Sequence, residues 1–428
     1  MNYAEIEKIL DKLINTGSEI PYLEELKNKS IDLLKKDRSL SEILYEIAKE
    51  INDLTEEFLE KKNKYGTNFV TGISTGIYLP DYNDNGKYKF KVWGGTTSRD
   101  NNSLINENTL FDLASITKLY TLVLLFKLEE LGLVDLNTKV SDLNSDIQGL
   151  QDFTLNDLIR FHGELYTKGN IREASSPMEA YERLKTVYLK SDRRDKNTYT
   201  DFGAMVIADT IEKIVSKALG KEMSYDEIMN KFLFEPLNLK DTTFHPDKSN
   251  VAGNANDLGL PHDPKARIIG RPTGSAGLFT NSNELMDFSQ GILGDNYLNQ
   301  QHKKQLSQIT FPGNSHGHLG TFVKNPNGGT YAPKELSNDS FAAQGWTGQV
   351  AMFDNQNKIH SHILVNAIQK TDNKEIITND KPYGFLPEFK LYQSEIVKRI
   401  LLMYIAKKYY NNYCEVYDNI EQNFNLKR

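Results

Sequence analysis

The stretch FDLASITKLYTLVLLFKLEELG, residues 111–132, joins a long apolar run to polar groups at its start. Its apolar residues predict a buried helix over about 114–132. Ser115 and Lys118 are three residues apart, a spacing that sets two side chains next to each other on a helix. Asp112 is placed to cap the helix. The stretch therefore predicts a hydroxyl and an ammonium group held together where a buried helix begins.

This pair has two interpretations. The unpaired N–H groups and the positive dipole end of a first helical turn favour negative charge on the Ser115 oxygen. Burial among leucines is expected to lower the pKa of Lys118, so that it helps to take up the serine proton. A capping serine beside a lysine that extends to solvent would have the same spacing. The pair alone leaves a nucleophile and a structural arrangement both open.

Composition restricts the possible functions. Of the 428 residues, 39% are hydrophobic and 25% are charged, which is typical of a globular protein. The net charge of −7 provides no basic surface for nucleic acid, and no basic cluster marks a site for anionic lipid. The single cysteine, Cys414, excludes an intrachain disulfide. We expect no nucleic-acid partner and no membrane span.

The N-terminal region is predicted to be helical and charged. Apolar residues recur at helical spacing within 6–14, 22–36 and 40–63, so residues 1–64 are expected to form a helical extension and the first helix of the body. Residues 1–38 could cover a cleft, pair two subunits in a homo-oligomer, or simply pack. Acidic residues occupy the place of a signal peptide's positive end, which predicts a cytoplasmic protein, or an exported one whose leader was removed.

After residue 64 the apolar period changes to two. NFVTGISTGIYLP and KFKVWGG, joined by DYNDNGKY, predict a β-hairpin, and QVAMFD with KIHSHILVNAI predicts two late strands. Helices are expected over about 154–161, 177–189, 201–219, 224–233, 276–293 and 391–410. Strands at both ends of a mostly helical segment predict an α+β fold. Its α/β part would span about 65–110 and 335–428, and its helical part about 111–334.

Two other patterns are set aside. GISTG (72–76) and GNSHG (313–317) match the G-x-S-x-G nucleophile elbow, but neither precedes a predicted helix, as that elbow requires. Two histidine pairs could each offer two metal ligands, but neither has an evident third ligand. They are His316 with His318, and His360 with His362. We interpret them as polar loop and strand-face residues, and we expect no metal and no cofactor.

Phrases downstream of Ser115 give a family resemblance. They are YTDFGAMVIADTIEKI (199–214), EPLNLKDTTFHP (235–246) and PHDPKARIIGRPTGSAGLFTNSNELMDF (261–288). With residues 111–143, and in this order, they resemble the serine β-lactamase and penicillin-binding protein superfamily, especially its class C-like branch of β-lactamases, D-amino-acid peptidases and esterases. The resemblance covers about 66–370. It implies an antiparallel sheet flanked by N- and C-terminal helices, plus a mostly helical domain.

The resemblance also implies roles for four side chains. Ser115 would be the nucleophile that forms an acyl-enzyme. Tyr199 begins the family's Tyr-x-Asn or Tyr-x-Asp/Ser motif and would move protons together with Lys118. Which of the two is the general base stays open, because their protonation is coupled. Asp201 would hold the lysine by charge and hydrogen bond.

The third motif departs from the family's Lys-Thr-Gly or His-Thr-Gly. In FAAQGWTGQV (341–350), Ala343, Gln344 and Gly345 occupy the three motif positions. In an alternative register, residues 346–348 occupy the three motif positions, but the register with residues 343–345 accounts for both glycines. Either way the cation that meets a substrate carboxylate in the family is missing. The N–H of Trp346 is then expected to join that of Ser115 in an oxyanion hole.

These observations predict a serine hydrolase. Without the cation, its substrate is expected to be a small-molecule or peptidoglycan-like ester or amide that needs no free carboxylate. In LIRFHGEL (158–165), Phe161 replaces the branch's usual histidine and Glu164 its glycine, which indicates an unusual substrate shape. Two alternatives stay open. One is a penicillin-binding D-alanyl carboxypeptidase or β-lactamase, and the other is a non-catalytic descendant that only binds ligand.

Overall fold

The structure of the chain is a computed structural model. It describes residues 40–62, 68–80, 88–99, 101–190, 198–253, 257–310, 316–324 and 336–367, with short pieces at 370–371, 374–375, 392, 395–396, 399 and 420–425. The helices predicted between residues 6 and 36, and Cys414, lie outside the described residues.

The described α-helices run as follows: α1 (Leu40–Glu60), α2 (Thr117–Glu130), α3 (Val140–Leu143), α4 (Leu155–Ile159), α5 (Pro177–Lys185), α6 (Phe202–Leu219), α7 (Tyr225–Met229), α8 (Pro264–Ile269), α9 (Ser282–Leu293) and α10 (Gln300–Leu306). Short 3₁₀ turns cover Ala114–Ile116, Ile171–Glu173 and Lys248–Asn250, and a π-helical turn at Asn230–Phe234 extends α7. The helices predicted over 154–161, 201–219 and 224–233 agree closely with these bounds. The helix predicted over 114–132 begins later, at Thr117, that over 177–189 ends earlier, and that over 276–293 begins later. Along the described residues, every helix is too short or too polar to cross a bilayer.

The described β-strands are β1 (Gly72–Leu79), β2 (Tyr88–Ser98), β3 (Asn101–Leu104), β4 (Leu110–Asp112), β5 (Leu165–Tyr166), β6 (Tyr188–Leu189), β7 (Val251–Ala252), β8 (Phe279–Thr280), β9 (Phe322–Val323), β10 (Ser340–Gln344), β11 (Val350–Asp354), β12 (Ile359–Val365), β13 (Lys370–Thr371), β14 (Lys374–Glu375) and β15 (Ile420–Asn425). The main sheet has the order β15-β2-β1-β12-β11-β10-β9, with β3 beside β2. All its neighbours are antiparallel except β15, which runs parallel to β2.

This order places strands from both ends of the body in one sheet. The hairpin β1–β2 forms as predicted, and β1 then pairs with the late strand β12. GISTG lies inside β1, where Ser74 is buried in a continuous strand, so it is not a nucleophile elbow. The α+β prediction is therefore confirmed.

Helix α1 is held against the sheet by contacts with Tyr392, which lies far along the chain. α1 lies against β1 and β2. The ring of Tyr392 stacks on Phe58 of α1 with centroids 4.5 Å apart. Its hydroxyl lies 2.9 Å from Thr55 Oγ1 on α1 and 3.1 Å from Thr75 Oγ1 on β1. The described residues within the predicted 391–410 helix are helical, so elements from both ends of the chain flank the sheet.

Helix α2 forms the centre of the helical part. Its residues from Thr117 to Phe126 are all buried, and most of them belong to the main hydrophobic core. Burial on every side explains why this segment has no polar face apart from the groups at its start. The core thus encloses the Lys118 side chain.

Candidate active site

The turn before α2, residues 112–115, is a strained segment that we call the nucleophile turn, after the role predicted for Ser115. Ala114 has a φ of +45°, in the left-handed region that residues with a Cβ rarely adopt. The carboxylate of Asp112 accepts the Ala114 N–H at 2.8 Å and so holds this conformation. The prediction that Asp112 caps the helix is wrong, because the 3₁₀ turn delays the start of α2 to Thr117. Strain that is held in place beside a reactive group is typical of catalytic turns.

Asp112 also joins the nucleophile turn to two distant segments. Its second carboxylate oxygen accepts the His262 N–H at 2.7 Å and lies 3.0 Å from His262 Nδ1. Its backbone carbonyl accepts Gln349 Nε2 at 2.6 Å and Thr347 Oγ1 at 3.2 Å. Sequence reasoning missed these contacts, because spacing along the chain gives no sign of them.

The structure brings Ser115, Lys118 and Asp201 together. Lys118 Nζ donates to Ser115 Oγ at 3.0 Å and to the carbonyl oxygen of Ser275 at 3.0 Å. Asp201 Oδ1 lies 2.8 Å from the same nitrogen. The Lys118 side chain is fully buried, whereas Ser115 is partly exposed. All three protons of the ammonium group therefore have acceptors, one of which is the candidate nucleophile.

The charge on Lys118 is set by its partners. Burial opposes the ammonium form, but attraction and hydrogen bonding to Asp201 and Tyr199 outweigh it, and the pKa of Lys118 is raised. The expected lowering of this pKa is wrong, because it counted burial without the carboxylate. Burial likewise opposes ionisation of Asp201, yet Lys118 and Lys265 hold the pKa of that carboxyl well below its usual range. The site thus contains an ammonium–carboxylate pair at neutral pH.

Lys265 is a second cation at this carboxylate. Its Nζ lies 2.5 Å from Asp201 Oδ2, and its side chain is 15% exposed. Asp263 caps α8 by accepting the N–H groups of Lys265 at 3.0 Å and Ala266 at 2.8 Å, and Pro264 occupies the first turn. Lys265 was not among the site residues predicted from the sequence, although its segment is part of the family resemblance. The Asp-Pro helix start, which fixes Lys265 in the first turn, was the available signal.

Tyr199 stands in a group of rings that we call the aromatic wall, formed by Phe161, Tyr199, His316 and Phe322. The Tyr199 ring centre is 5.1 Å from Lys118 Nζ, 5.0 Å from Phe161 and 6.4 Å from Phe322. Phe161 is buried with a φ of +56°, and its ring contact with Tyr199 places the loop at 158–165 beside that residue. His316 is not a plain loop residue: its ring is 6.0 Å from Tyr199, and burial lowers its pKa.

The third motif lies against the nucleophile turn. β10 ends at Gln344, and residues 345–349 form the turn to β11, which we call the third-motif turn. A Cβ on Gly345 would lie 2.6 Å from the carbonyl oxygen of Leu113, so the two backbones touch. Ala343 is fully buried, and Trp346 is 38% exposed. Gln344 Nε2 is buried and has no hydrogen-bond partner among the described residues.

The other histidines do not form a metal site in the described part of the chain. His360 Nε2 and His362 Nδ1 are 2.9 Å apart, and His362 Nε2 is 2.6 Å from Ser282 Oγ. His318 is buried rather than exposed on a loop, with Nδ1 2.8 Å from the carbonyl oxygen of Gln305. No group of three or more His, Cys, Asp or Glu side chains among the described residues is arranged to hold a metal.

Several proteins with related sequences or structures carry the names of hydrolases. A family model described as Beta-lactamase matches residues 72–381. A protein of Salmonella gallinarum (strain 287/91 / NCTC 13346), named "Putative D-alanyl-D-alanine carboxypeptidase", is 27% identical over 329 residues, covering 64% of this chain and 75% of that protein.

Solved structures share the fold. The D-amino acid amidase from Ochrobactrum anthropi SV3 superimposes with a TM-score of 0.56 at 16% identity, covering 85% of this chain and 98% of the amidase. A class C β-lactamase from Rhodobacter sphaeroides gives a TM-score of 0.55 at 15% identity, covering 83% of this chain and 99% of that enzyme.

Proposed function

The chain belongs to the Beta-lactamase family of serine hydrolases, and from this premise we propose that it hydrolyses esters or amides through an acyl-enzyme on Ser115. One observation carries the proposal. Lys118 Nζ donates to Ser115 Oγ at 3.0 Å from inside the core, where α2 begins. A buried ammonium group fixed on a partly exposed hydroxyl is an arrangement that activates a nucleophile.

We assign the general base to Tyr199. Lys118 stays charged because Asp201 pairs with it, so it has no free lone pair to accept the Ser115 proton. The ammonium group instead stabilises a phenolate on Tyr199 and the negative charge that develops on the serine oxygen as the proton moves between them. Tyr199, 36% exposed, would take that proton and then return it to the leaving group.

The oxyanion hole is proposed to consist of the N–H groups of Ser115 and Trp346. The contact between Gly345 and Leu113 supports this, because it sets the third-motif turn beside the nucleophile turn. In the acylation step Ser115 Oγ bonds to the substrate carbonyl carbon and the leaving group departs with a proton. Water then attacks the acyl-enzyme and releases the acid.

The proposed substrate has no free carboxylate at the third motif. Positions 343–345 provide no positive charge, and Gln344 contributes only a neutral amide. Lys118 and Lys265 are both held by Asp201, and the remaining positive charge of this group is directed at Ser115 Oγ through Lys118 and not at the third motif. A substrate carboxylate would lose hydration without a charged partner, at a cost on the order of 3 kcal/mol or more. Neutral esters and amides avoid this cost.

A second candidate substrate is a D-alanyl peptide with a free carboxylate. The name of the Salmonella gallinarum relative supports it. A matched pair of substrates separates the two candidates: an acyl-D-alanyl-D-alanine peptide and its C-terminal amide. We expect the amide to have the higher kcat/KM, and preference for the free acid would favour the second candidate. Labelling by a fluorescent penicillin would favour it too.

The test of the proposed function compares the wild-type chain with Ser115→Ala. We expect the wild type to hydrolyse a short-chain aryl ester and to carry a single acyl adduct by intact-mass spectrometry. Ser115→Ala removes the oxygen that forms the acyl bond, so both signals should vanish. Equal turnover by Ser115→Ala would exclude Ser115 as the nucleophile, and a wild type with neither turnover nor adduct would favour a non-catalytic descendant.

Two organisational proposals accompany this function. The chain divides near residue 64 into an N-terminal extension that includes the first helix of the body, and a hydrolase domain. We propose that residues 1–38, outside the described residues, pair two chains in a homo-oligomer; the alternatives are that they cover the cleft or simply pack. Size-exclusion chromatography of chains with and without residues 1–38 tests the second proposal.

A further inference from the structure

Asp201 bridges two ammonium groups that come from different helices. Its Oδ1 lies 2.8 Å from Lys118 Nζ on α2, and its Oδ2 lies 2.5 Å from Lys265 Nζ on α8. Their side chains are 0%, 18% and 15% exposed for Lys118, Asp201 and Lys265 respectively. Within the described part of the chain, these three side chains make no other ion pair. The group therefore holds two positive charges and one negative charge.

We propose that Lys265 is a positioning residue that keeps the net charge of this group at +1 while Ser115 reacts. It acts through Asp201 and does not touch the substrate. The inference rests on the proposed function of Ser115, because that residue is where the negative charge forms. Without Lys265, Asp201 would neutralise Lys118, and the developing oxyanion would meet a neutral pair instead of a cation.

The extra positive charge of this group favours the transition state over the resting enzyme. Charges that leave water are normally paired, since an unpaired charge loses its hydration without compensation. Here one ammonium charge has no carboxylate of its own. Lys118 directs it at Ser115 Oγ, 3.0 Å away, so it gains a partner only when negative charge develops on the reacting oxygens. An interaction that is stronger in the transition state than in the resting enzyme accelerates the reaction.

The surroundings of Lys265 favour this role over that of a surface ion pair. A surface lysine would keep its hydration and contribute little to the site. Lys265 is instead mostly buried, and its Nζ lies 6.0 Å from the centre of the Phe202 ring, beside Asp201. The cap that Asp263 makes on α8 fixes the helical turn that carries it. Its charge is thus held close to the reacting groups in a medium that screens it poorly.

The experiment measures how fast a fluorophosphonate probe labels Ser115, which requires no knowledge of the substrate. We expect Lys265→Gln to slow labelling by about tenfold to thirtyfold, because it removes one nearby charge. The double variant Asp201→Asn/Lys265→Gln leaves Lys118 as the single charge of the group. An amide oxygen at position 201 and the carbonyl oxygen of Ser275 still accept from its ammonium group, so the charge of +1 is kept and most of the loss should be recovered. Lys265→Arg keeps the charge and should stay within about threefold of the wild type.

A matched control is Arg267→Gln, which removes a cation from the same helix. Arg267 pairs with Asp257 at 3.1 Å and not with Asp201, so its loss should leave the labelling rate unchanged. With an aryl ester, the Lys265→Gln loss should appear in kcat and not in KM, because Lys265 does not contact the substrate. A purely structural role for Lys265 would not produce rescue by the second substitution.

Different outcomes test the role of Lys265 and the proposed function of Ser115 separately. Lys265→Gln labelled at the wild-type rate, or a double variant no faster than the single one, would overturn the role of Lys265 and leave the proposed function standing. If circular dichroism shows that Lys265→Gln is unfolded, Lys265→Arg and the double variant provide the test. Slow labelling of Ser115 in both would overturn the inference. A folded wild type that the probe does not label overturns the proposed function and this inference with it.

Discussion

Gly345 meets the carbonyl oxygen of Leu113 so closely that a Cβ at position 345 would lie 2.6 Å from that atom. Leu113 is two residues before Ser115, and Gly345 is followed by Trp346. This contact between backbones therefore sets the spacing of the two N–H groups assigned to the oxyanion hole. A glycine is required here by close approach, since any side chain would separate the two turns.

Gly345→Ala should reduce kcat for an aryl ester by about a hundredfold, the order of effect of losing one oxyanion donor. The added methyl group pushes the third-motif turn away from the nucleophile turn and displaces the Trp346 N–H. Steady-state kinetics provide the measurement. Gly253→Ala is the control, because the nearest atom to its Cβ would be at 3.5 Å. An unchanged kcat in Gly345→Ala would contradict the proposed hole.

Lys118→Met should lower the rate of Ser115 labelling by about a thousandfold, within the range for loss of a group that stabilises the developing negative charge. Methionine fills the buried volume but removes the ammonium group that contacts Ser115 Oγ. Asp201 keeps Lys265 as its partner, so the protein should remain folded. Lys127→Met, on the same helix but bonded to the Tyr297 carbonyl, should label normally. A rate within tenfold of the wild type would rule out the role of Lys118.

Tyr199→Phe should reduce kcat by about a hundredfold to ten-thousandfold. The substitution keeps the ring that packs on Phe161 and Phe322, and it removes only the hydroxyl assigned as the base. The melting temperature should therefore change little while turnover falls. Tyr188→Phe removes a hydroxyl from an equally exposed tyrosine on β6, and its turnover should not change. If Tyr199→Phe retained full kcat, the base would have to be another group.

The buried histidines should make the protein less stable in mild acid. Burial lowers the pKa of His362 to about 3 and that of His318 to about 4, whereas an unfolded histidine titrates near 6.5. Below pH 6.5 the unfolded chain binds protons that the folded chain excludes, so stability is complete above that pH and falls below it. For His362 alone the loss between pH 6.5 and 5 should be about 2 kcal/mol.

Urea unfolding at pH 7.5, 6.5 and 5.0 measures this dependence. His362→Gln should flatten it, since glutamine does not titrate. An identical slope in His362→Gln and the wild type would show that His362 does not stay neutral in the folded protein.

Part of the site could be predicted from spacing alone. Local spacing is enough to place Ser115 beside Lys118 at one helical start. Tyr199 and Asp201, at another helical start, were singled out only by the family resemblance. The order of the phrases from 111 to 288 then led to the family, and the alternating strands led to the sheet. These features depend on neighbours along the chain, which a sequence displays directly.

The charge on the site was decided by tertiary structure. The pKa of Lys118 rises because Asp201 reaches it from a distant segment, and Asp201 in turn meets Lys265 from a third segment. Asp112 likewise holds a strained turn and two remote segments instead of capping a helix. Electrostatic energies depend on distance and burial in space, and these are fixed only when α2, α6 and α8 pack together. The sequence by itself determined which groups could react, and the packing determined which of them carry charge.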